Sequence, residues 1–217
     1  NNADGIGASS SPHEFTRLNG ALYFQANGGV RFNGFELFKT DGTDAGTGMV
    51  KNIFERSSGS AFPSGFTAFN GALYFGADDG ANGRELWKTD GTDAGTVLVK
   101  DINATAGAGS LPDGFTVFNG ALYFGAFDDV NGFALWKTDG TAAGTVLVMN
   151  GSYYPSGFTL FNGALYFRFV QTGVAPFCGG GVNNFELWKT DGTAAGTVVV
   201  KNFNATPGVC STLSAFT

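Results

Sequence analysis

Residues 66–75 read FTAFNGALYF, residues 85–92 read ELWKTDGT and residues 95–99 read GTVLV, and these three blocks decide the fold. Near copies of all three occur four times along the chain. The first block begins at Phe15, Phe66, Phe115 and Phe158, at spacings of 51, 49 and 43 residues. A period of about 40–50 residues is typical of architectures built from repeated β-sheets.

Each repeat is predicted to form four strands, which we label a to d. In the second repeat, Asn70-Gly71 separates two apolar runs and predicts a two-residue hairpin turn between strands a and b, because both turn positions require positive φ. Strand c then covers 84–89 and strand d covers 96–102. Asp90 and Gly91 begin the turn between them.

Strand b of the second repeat, ALYFGA at 72–77, is apolar on both faces and needs cover on both sides. Four antiparallel four-stranded units with this property predict an all-β fold, a β-propeller of four blades. The alternative is an open β repeat array continued between chains. We expect a single repeat domain over 1–217, with repeats at 15–65, 66–114, 115–157 and 158–215. The terminal segments 1–14 and 216–217 are predicted to lie in the inter-blade loop or closure region.

The composition of the chain excludes some classes of partner and of protein. Glycine makes up 35 of 217 residues and only 14% of residues are charged, which is typical of a turn-rich β protein. The net charge of −6 argues against nucleic acid as a partner. No apolar run is long enough to predict a transmembrane segment.

The block ELWKTDGT at 85–92, followed by GTVLVKDI at 95–102, resembles the ELWxxDGT repeat of secreted, mostly bacterial, repeat proteins. The similarity covers the chain after residue 14 and is weaker where Phe38 replaces Trp and where Ala134 replaces Glu. The resemblance implies a propeller-like protein located outside the cell or at its surface. It implies no catalytic residues.

Length varies in two loops of the repeat, b–c and d–a. The d–a loop holds 15 residues after Val50, Val99 and Val200, but 9 after Val148. Strand direction places both loops at the same end of a blade. Because binding sites are common on variable loops carried by a rigid scaffold, we expect a glycan or protein ligand there.

The repeated Thr-Asp-Gly-Thr motif predicts a structural turn, because Asp accepts hydrogen bonds from nearby backbone amides and Gly adopts positive φ. Its aspartates are Asp41, Asp90, Asp139 and Asp191. Two further pairs, Asp78-Asp79 and Asp128-Asp129, are weak candidates for Ca²⁺, with a hairpin turn favoured instead. No other cofactor is predicted.

The two cysteines, Cys178 and Cys210, are predicted to form a disulfide, since both lie in loops at the same end of the fourth repeat. Sequons at Asn103, Asn150 and Asn204 are candidate glycosylation sites in a secreted glycoprotein.

A single histidine and the absence of recognised catalytic motifs predict that the protein is not an enzyme. The sequence thus predicts a non-enzymatic, extracellular binding or structural module. The alternative is a subunit of a filament, surface layer or matrix that associates with itself. A glycosidase-like enzyme is the least favoured option, because no carboxylate pair stands out.

Overall fold

The computed structural model describes residues 9–29, 34–56, 59–151, 154–169 and 186–203. Within these ranges the chain forms sixteen β-strands and no α-helix. The strands of the first two repeats are β1 (His13–Leu18), β2 (Ala21–Asn27), β3 (Phe35–Thr40), β4 (Gly48–Lys51), β5 (Ser64–Phe69), β6 (Ala72–Asp78), β7 (Arg84–Thr89) and β8 (Val97–Lys100). Those of the last two repeats are β9 (Asp113–Phe118), β10 (Ala121–Asp128), β11 (Gly132–Thr138), β12 (Val146–Gly151), β13 (Ser156–Phe161), β14 (Ala164–Phe169), β15 (Glu186–Thr190) and β16 (Val198–Lys201).

Each repeat folds into one four-stranded sheet in which strands follow one another in chain order. The neighbouring strands pair antiparallel. The structure confirms the predicted all-β, propeller-type fold class with four four-stranded antiparallel blades. The hairpin turns are also as predicted, since Asn70 has φ 47° and Gly71 has φ 78°.

Two irregularities recur in the sheets. The pairing between strands c and d shifts register just before the conserved aromatic position, as between Leu86 and Trp87. The pairing between strands a and b shifts near the start of strand a, as between Ser64 and Thr67. Each of these positions is a β-bulge, which bends its strand and redirects the side chains beside it.

The chain divides into two compact units, 1–113 and 114–217, where the sequence predicted one repeat domain. Each unit contains two sheets that share one hydrophobic cluster. No helix in the described ranges is long and apolar enough to cross a membrane.

Candidate functional site

The repeated Thr-Asp-Gly-Thr motif forms a closed hydrogen-bonded turn. In the second repeat, Asp90 Oδ1 accepts bonds from the backbone N–H and the hydroxyl of Thr92, at 2.8 and 2.7 Å. The Thr92 hydroxyl in turn accepts the N–H of Gly95 at 2.9 Å. These bonds lower the pKa of Asp90, the side-chain bond most strongly. Asp41, Asp139 and Asp191 make the same contacts, in agreement with a structural turn.

The aspartates considered for Ca²⁺ also close turns. Asp79 Oδ1 accepts the backbone N–H groups of Ala81 and Asn82, both at 2.8 Å. Asp128 Oδ1 does the same for Val130 and Asn131. Asp78 accepts the N–H of Gly80, and Asp129 is exposed. These bonds to N–H groups support the hairpin interpretation.

Buried glutamates hold the long d–a loops. Glu85 is 0% exposed, and its carboxylate accepts the backbone N–H groups of Ile102 at 2.9 Å and Ser110 at 2.8 Å. Glu36 accepts the N–H of Ile53 at 2.8 Å and that of Ala61 at 3.3 Å. Burial raises the pKa of Glu36 to about 7, although the backbone hydrogen bonds oppose the rise. These glutamates therefore serve the loop structure.

The sequons differ in accessibility. Asn103 is 3% exposed and its Oδ1 accepts the N–H of Thr105, so its burial corrects the expectation that it carries a glycan. Asn150 is exposed and stays a candidate. Asn204, Cys178, Cys210 and the segment 216–217 lie outside the described residues, as do residues 1–8 of the amino-terminal segment.

Glu14 has a left-handed backbone conformation. It has φ 61° at the bulge that begins strand β1. The other three repeats place glycine at this position, namely Gly65, Gly114 and Gly157, with φ between 68° and 74°. Left-handed backbone costs a residue with a Cβ roughly 1–2 kcal/mol, and such strain clusters at functional sites. The first repeat therefore carries a charged side chain where the fold itself favours glycine.

Glu14 lies within electrostatic range of a part-buried arginine, Arg84. Its Oε2 accepts the N–H of Gly65 at 3.2 Å. Arg84, at the start of β7, donates to the Ser64 hydroxyl at 2.6 Å and to the carbonyl of Phe62. Burial lowers the pKa of Arg84, and attraction to Asp113, then Asp78, then Glu14 opposes that change. One cation thus interacts with carboxylates from three successive sheets.

Arg84 reaches this position because of Gly76. The guanidinium crosses strand β6 where a Cβ on residue 76 would lie 2.7 Å from its Nη2 atom. The equivalent position in the fourth repeat holds Arg168, whose Nε donates to Ser156 at 2.7 Å. Both repeats therefore use an arginine to bind the serine that begins strand a.

Exposed apolar side chains border the charged cluster. Phe62 and Leu111 are each 52% exposed and have φ of 44° and 52°. Each of these two residues precedes a proline. The backbone of each is hydrogen-bonded to a strand c, and the N–H of Leu111 donates to the carbonyl of Arg84 at 3.0 Å. Accessible carboxylates next to an arginine and exposed apolar surface can bind a polyol and transfer protons to it.

Glu14, Arg84 and Asp113 were not predicted from the sequence as functional residues. A signal was nevertheless present, because aligning the four repeats shows glutamate at one position that otherwise holds glycine. The tryptophans at the repeated strand c position, by contrast, are buried. Trp87, Trp136 and Trp188 are between 4% and 7% exposed.

No protein-family model matches the chain, and no curated protein matches it. The chain is similar to an α-L-arabinofuranosidase from Clostridium thermocellum, with 17% identity, a TM-score of 0.41, and coverage of 85% of this chain and 70% of that one. It is also similar to a family 117 glycoside hydrolase from Zobellia galactanivorans, with 13% identity, a TM-score of 0.45, and coverage of 93% and 71%. A third match is the computationally designed Ika8 protein, with 11% identity, a TM-score of 0.47, and coverage of 88% of this chain and 48% of that one.

These matches contradict the prediction of a non-enzymatic binding or structural module, since two of the three structures are named as glycoside hydrolases. The prediction that the protein is not an enzyme is corrected with it. The activity assigned to this chain has to rest on its own residues.

Proposed function

We propose that this protein is an extracellular enzyme that hydrolyses glycosidic bonds at the cluster of Glu14, Arg84 and Asp113. The observation that carries the proposal is the left-handed backbone of Glu14, which places a carboxylate within electrostatic range of Arg84 where every other repeat has glycine. A pair of carboxyl groups is the usual machinery for this reaction.

The surroundings suggest a role for each carboxyl group. Asp113, whose carboxylate is attracted by the charge of Arg84, is assigned as the nucleophile or as the base that activates water. Glu14, which comes from a different sheet, is assigned as the general acid that protonates the leaving oxygen. Phe62 and Leu111 supply apolar surface for the face of a sugar ring.

Hydrolysis of a panel of aryl glycosides and plant or algal polysaccharides tests the proposal. For the substrate that is cleaved, Glu14→Gln and Asp113→Asn should each lower kcat by about 10²-fold or more. Glu55→Gln, which changes an exposed carboxylate elsewhere in the same unit, is the matched control and should retain the rate. Absence of hydrolysis across the panel, or full rates in both site variants, would overturn the assignment.

Glu14→Gly separates a catalytic role from a structural one. Glycine relieves the left-handed strain, so the free energy of unfolding should stay constant or rise by up to about 1 kcal/mol while hydrolysis is lost. Urea titration and the rate assay are measured on the same preparation. A large loss of stability would instead mean that Glu14 serves the fold.

A further inference from the structure

The two faces of each sheet are used differently. We call the face of a sheet that meets the next repeat its trailing face, and the face that meets the preceding repeat its leading face. In the first unit, the trailing face of sheet β1–β4 packs on the leading face of sheet β5–β8 in one cluster. The trailing face contributes Leu18, Tyr23, Leu37, Val50 and Ile53, and the leading face contributes Phe66, Leu73, Phe75, Ala77 and Trp87.

The second unit repeats this junction. The trailing face of sheet β9–β12 contributes Phe118, Tyr123, Leu135 and Val148, and the leading face of sheet β13–β16 contributes Leu165, Phe167, Phe169 and Trp188. The same repeat positions thus meet in both units. A trailing face and a leading face are complementary surfaces in this protein.

The trailing face of the fourth repeat is exposed. Phe161 is 59% exposed, whereas Leu18, Phe69 and Phe118 at the same repeat position are 5–7% exposed. Val200 is 45% exposed, against 6–7% for Val50, Val99 and Val148. Phe203 is 47% exposed, against 2% for Ile53 and 7% for Ile102.

The leading face of the first repeat is also more exposed than the equivalent positions of the other repeats. Phe15 is 56% exposed, whereas Phe66 is 9% exposed. Leu22 is half-buried, although Leu73, Leu122 and Leu165 are fully buried. Phe38 is also half-buried, at the position where the other repeats bury tryptophan.

Polar contacts mark the same junction. Lys39 Nζ donates to the carbonyl of Gly91 at 2.7 Å, and Lys137 Nζ donates to that of Gly192 at 2.8 Å. The hydroxyls of Tyr23 and Tyr123 contact these two glycines so closely that no Cβ would fit. At Gly42, the equivalent glycine of the first repeat, nothing lies within 4 Å of a Cβ position. The fourth repeat has the matching side chains, Tyr166 and Lys189.

We infer that the trailing face of the fourth repeat binds the leading face of the first repeat of a second copy of this chain. The junction within each unit shows what covers a trailing face, and the first repeat offers the matching exposed leading face. Phe161, Val200 and Phe203 would then pack against Phe15, Leu22 and Phe38. Tyr166 and Lys189 would contact the turn at Gly42.

Sedimentation velocity over a range of concentrations tests this inference. The unmodified chain should form dimers or larger species, and Phe161→Asp should shift the dissociation constant upward by at least about 10-fold, since a buried charge opposes association. Val130→Asp is the matched control, because Val130 is 92% exposed and lies on neither face. A chain that stays monomeric at every concentration overturns the inference, as does equal association of Phe161→Asp.

A second variant tests the opposite face. Gly42→Asn fills the space left for Tyr166, and asparagine tolerates positive φ better than most residues. Gly120→Asn, at another glycine with positive φ and open surroundings, controls for backbone strain. Because the contact joins two different surfaces, each variant alone should be monomeric, whereas an equimolar mixture of Phe161→Asp and Gly42→Asn should form dimers and nothing larger. A mixture without dimers contradicts the proposed pairing of faces.

Discussion

At the scale of single residues, a glutamate in three of the four repeats links strand c to the residues that follow strand d. Glu36 and Glu85 are both 0% exposed and both bind loop N–H groups. Glu186 accepts the indole N–H of Trp188 and the amide of Asn202. The third repeat has Ala134 instead, and its d–a loop is shorter by six residues. The glutamate is therefore present in the repeats with a long d–a loop, where it can accept hydrogen bonds from N–H groups of that loop.

Glu85→Ala should destabilise the protein by roughly 3–5 kcal/mol, because it leaves the N–H groups of Ile102, Asn103 and Ser110 buried without an acceptor. Chemical denaturation measures the loss, and hydrogen exchange should show it first in the loop at 101–112. Glu55→Ala removes an exposed carboxylate and serves as the control. A loss below about 1 kcal/mol would contradict the role given to Glu85.

At the scale of elements, the turn between strands c and d is built identically in all four repeats. The threonine before the aspartate bonds the threonine that begins strand d, as Thr89 does with Thr96 at 2.7 Å. The glycine before strand d lets the aspartate carboxylate fold back over the chain. A methyl group on Gly95 would overlap the Asp90 carboxylate. The turn thus depends on a close approach that only glycine permits.

Gly95→Ala should cost about 1–3 kcal/mol, because the carboxylate must move and lose its bonds to Thr92. Gly48→Ala, where nothing lies within 4 Å of the added methyl, should be close to neutral. Thermal unfolding of both variants makes the comparison. Similar melting temperatures for the two would show that the turn tolerates the displacement.

At the scale of the whole molecule, the buried glutamates couple folding to pH. Glu36 has a folded-state pKa of about 7 against an ordinary value of 4.5, and burial also raises the pKa of Glu85. Between these pH values the folded chain binds more protons than the unfolded chain. The contribution of Glu36 to the free energy of unfolding is therefore fully present below about pH 4.5, and it is lost as the pH rises through about 7.

Glu36→Gln should flatten this dependence. The free energy of unfolding of the unmodified protein should fall by up to roughly 3 kcal/mol relative to the variant as the pH rises from about 4.5 to about 7. Urea titrations at several pH values measure both proteins. Parallel curves would show that Glu36 titrates at its ordinary pKa in the folded state.

The sequence by itself determined the elements, because short apolar runs and Asn-Gly turns act between near neighbours in the chain. It predicted the four repeats, the a–b hairpins and the Thr-Asp-Gly-Thr turns for this reason. The pattern within one repeat did not identify the candidate site, since Glu14, Arg84 and Asp113 come from three different sheets, and Arg84 reaches its position across a glycine on β6. The exposure of Phe161 could not be predicted from the sequence either, because the same repeat position is buried wherever another repeat covers it. Tertiary structure decided both, since charge clustering and burial depend on which surfaces come together.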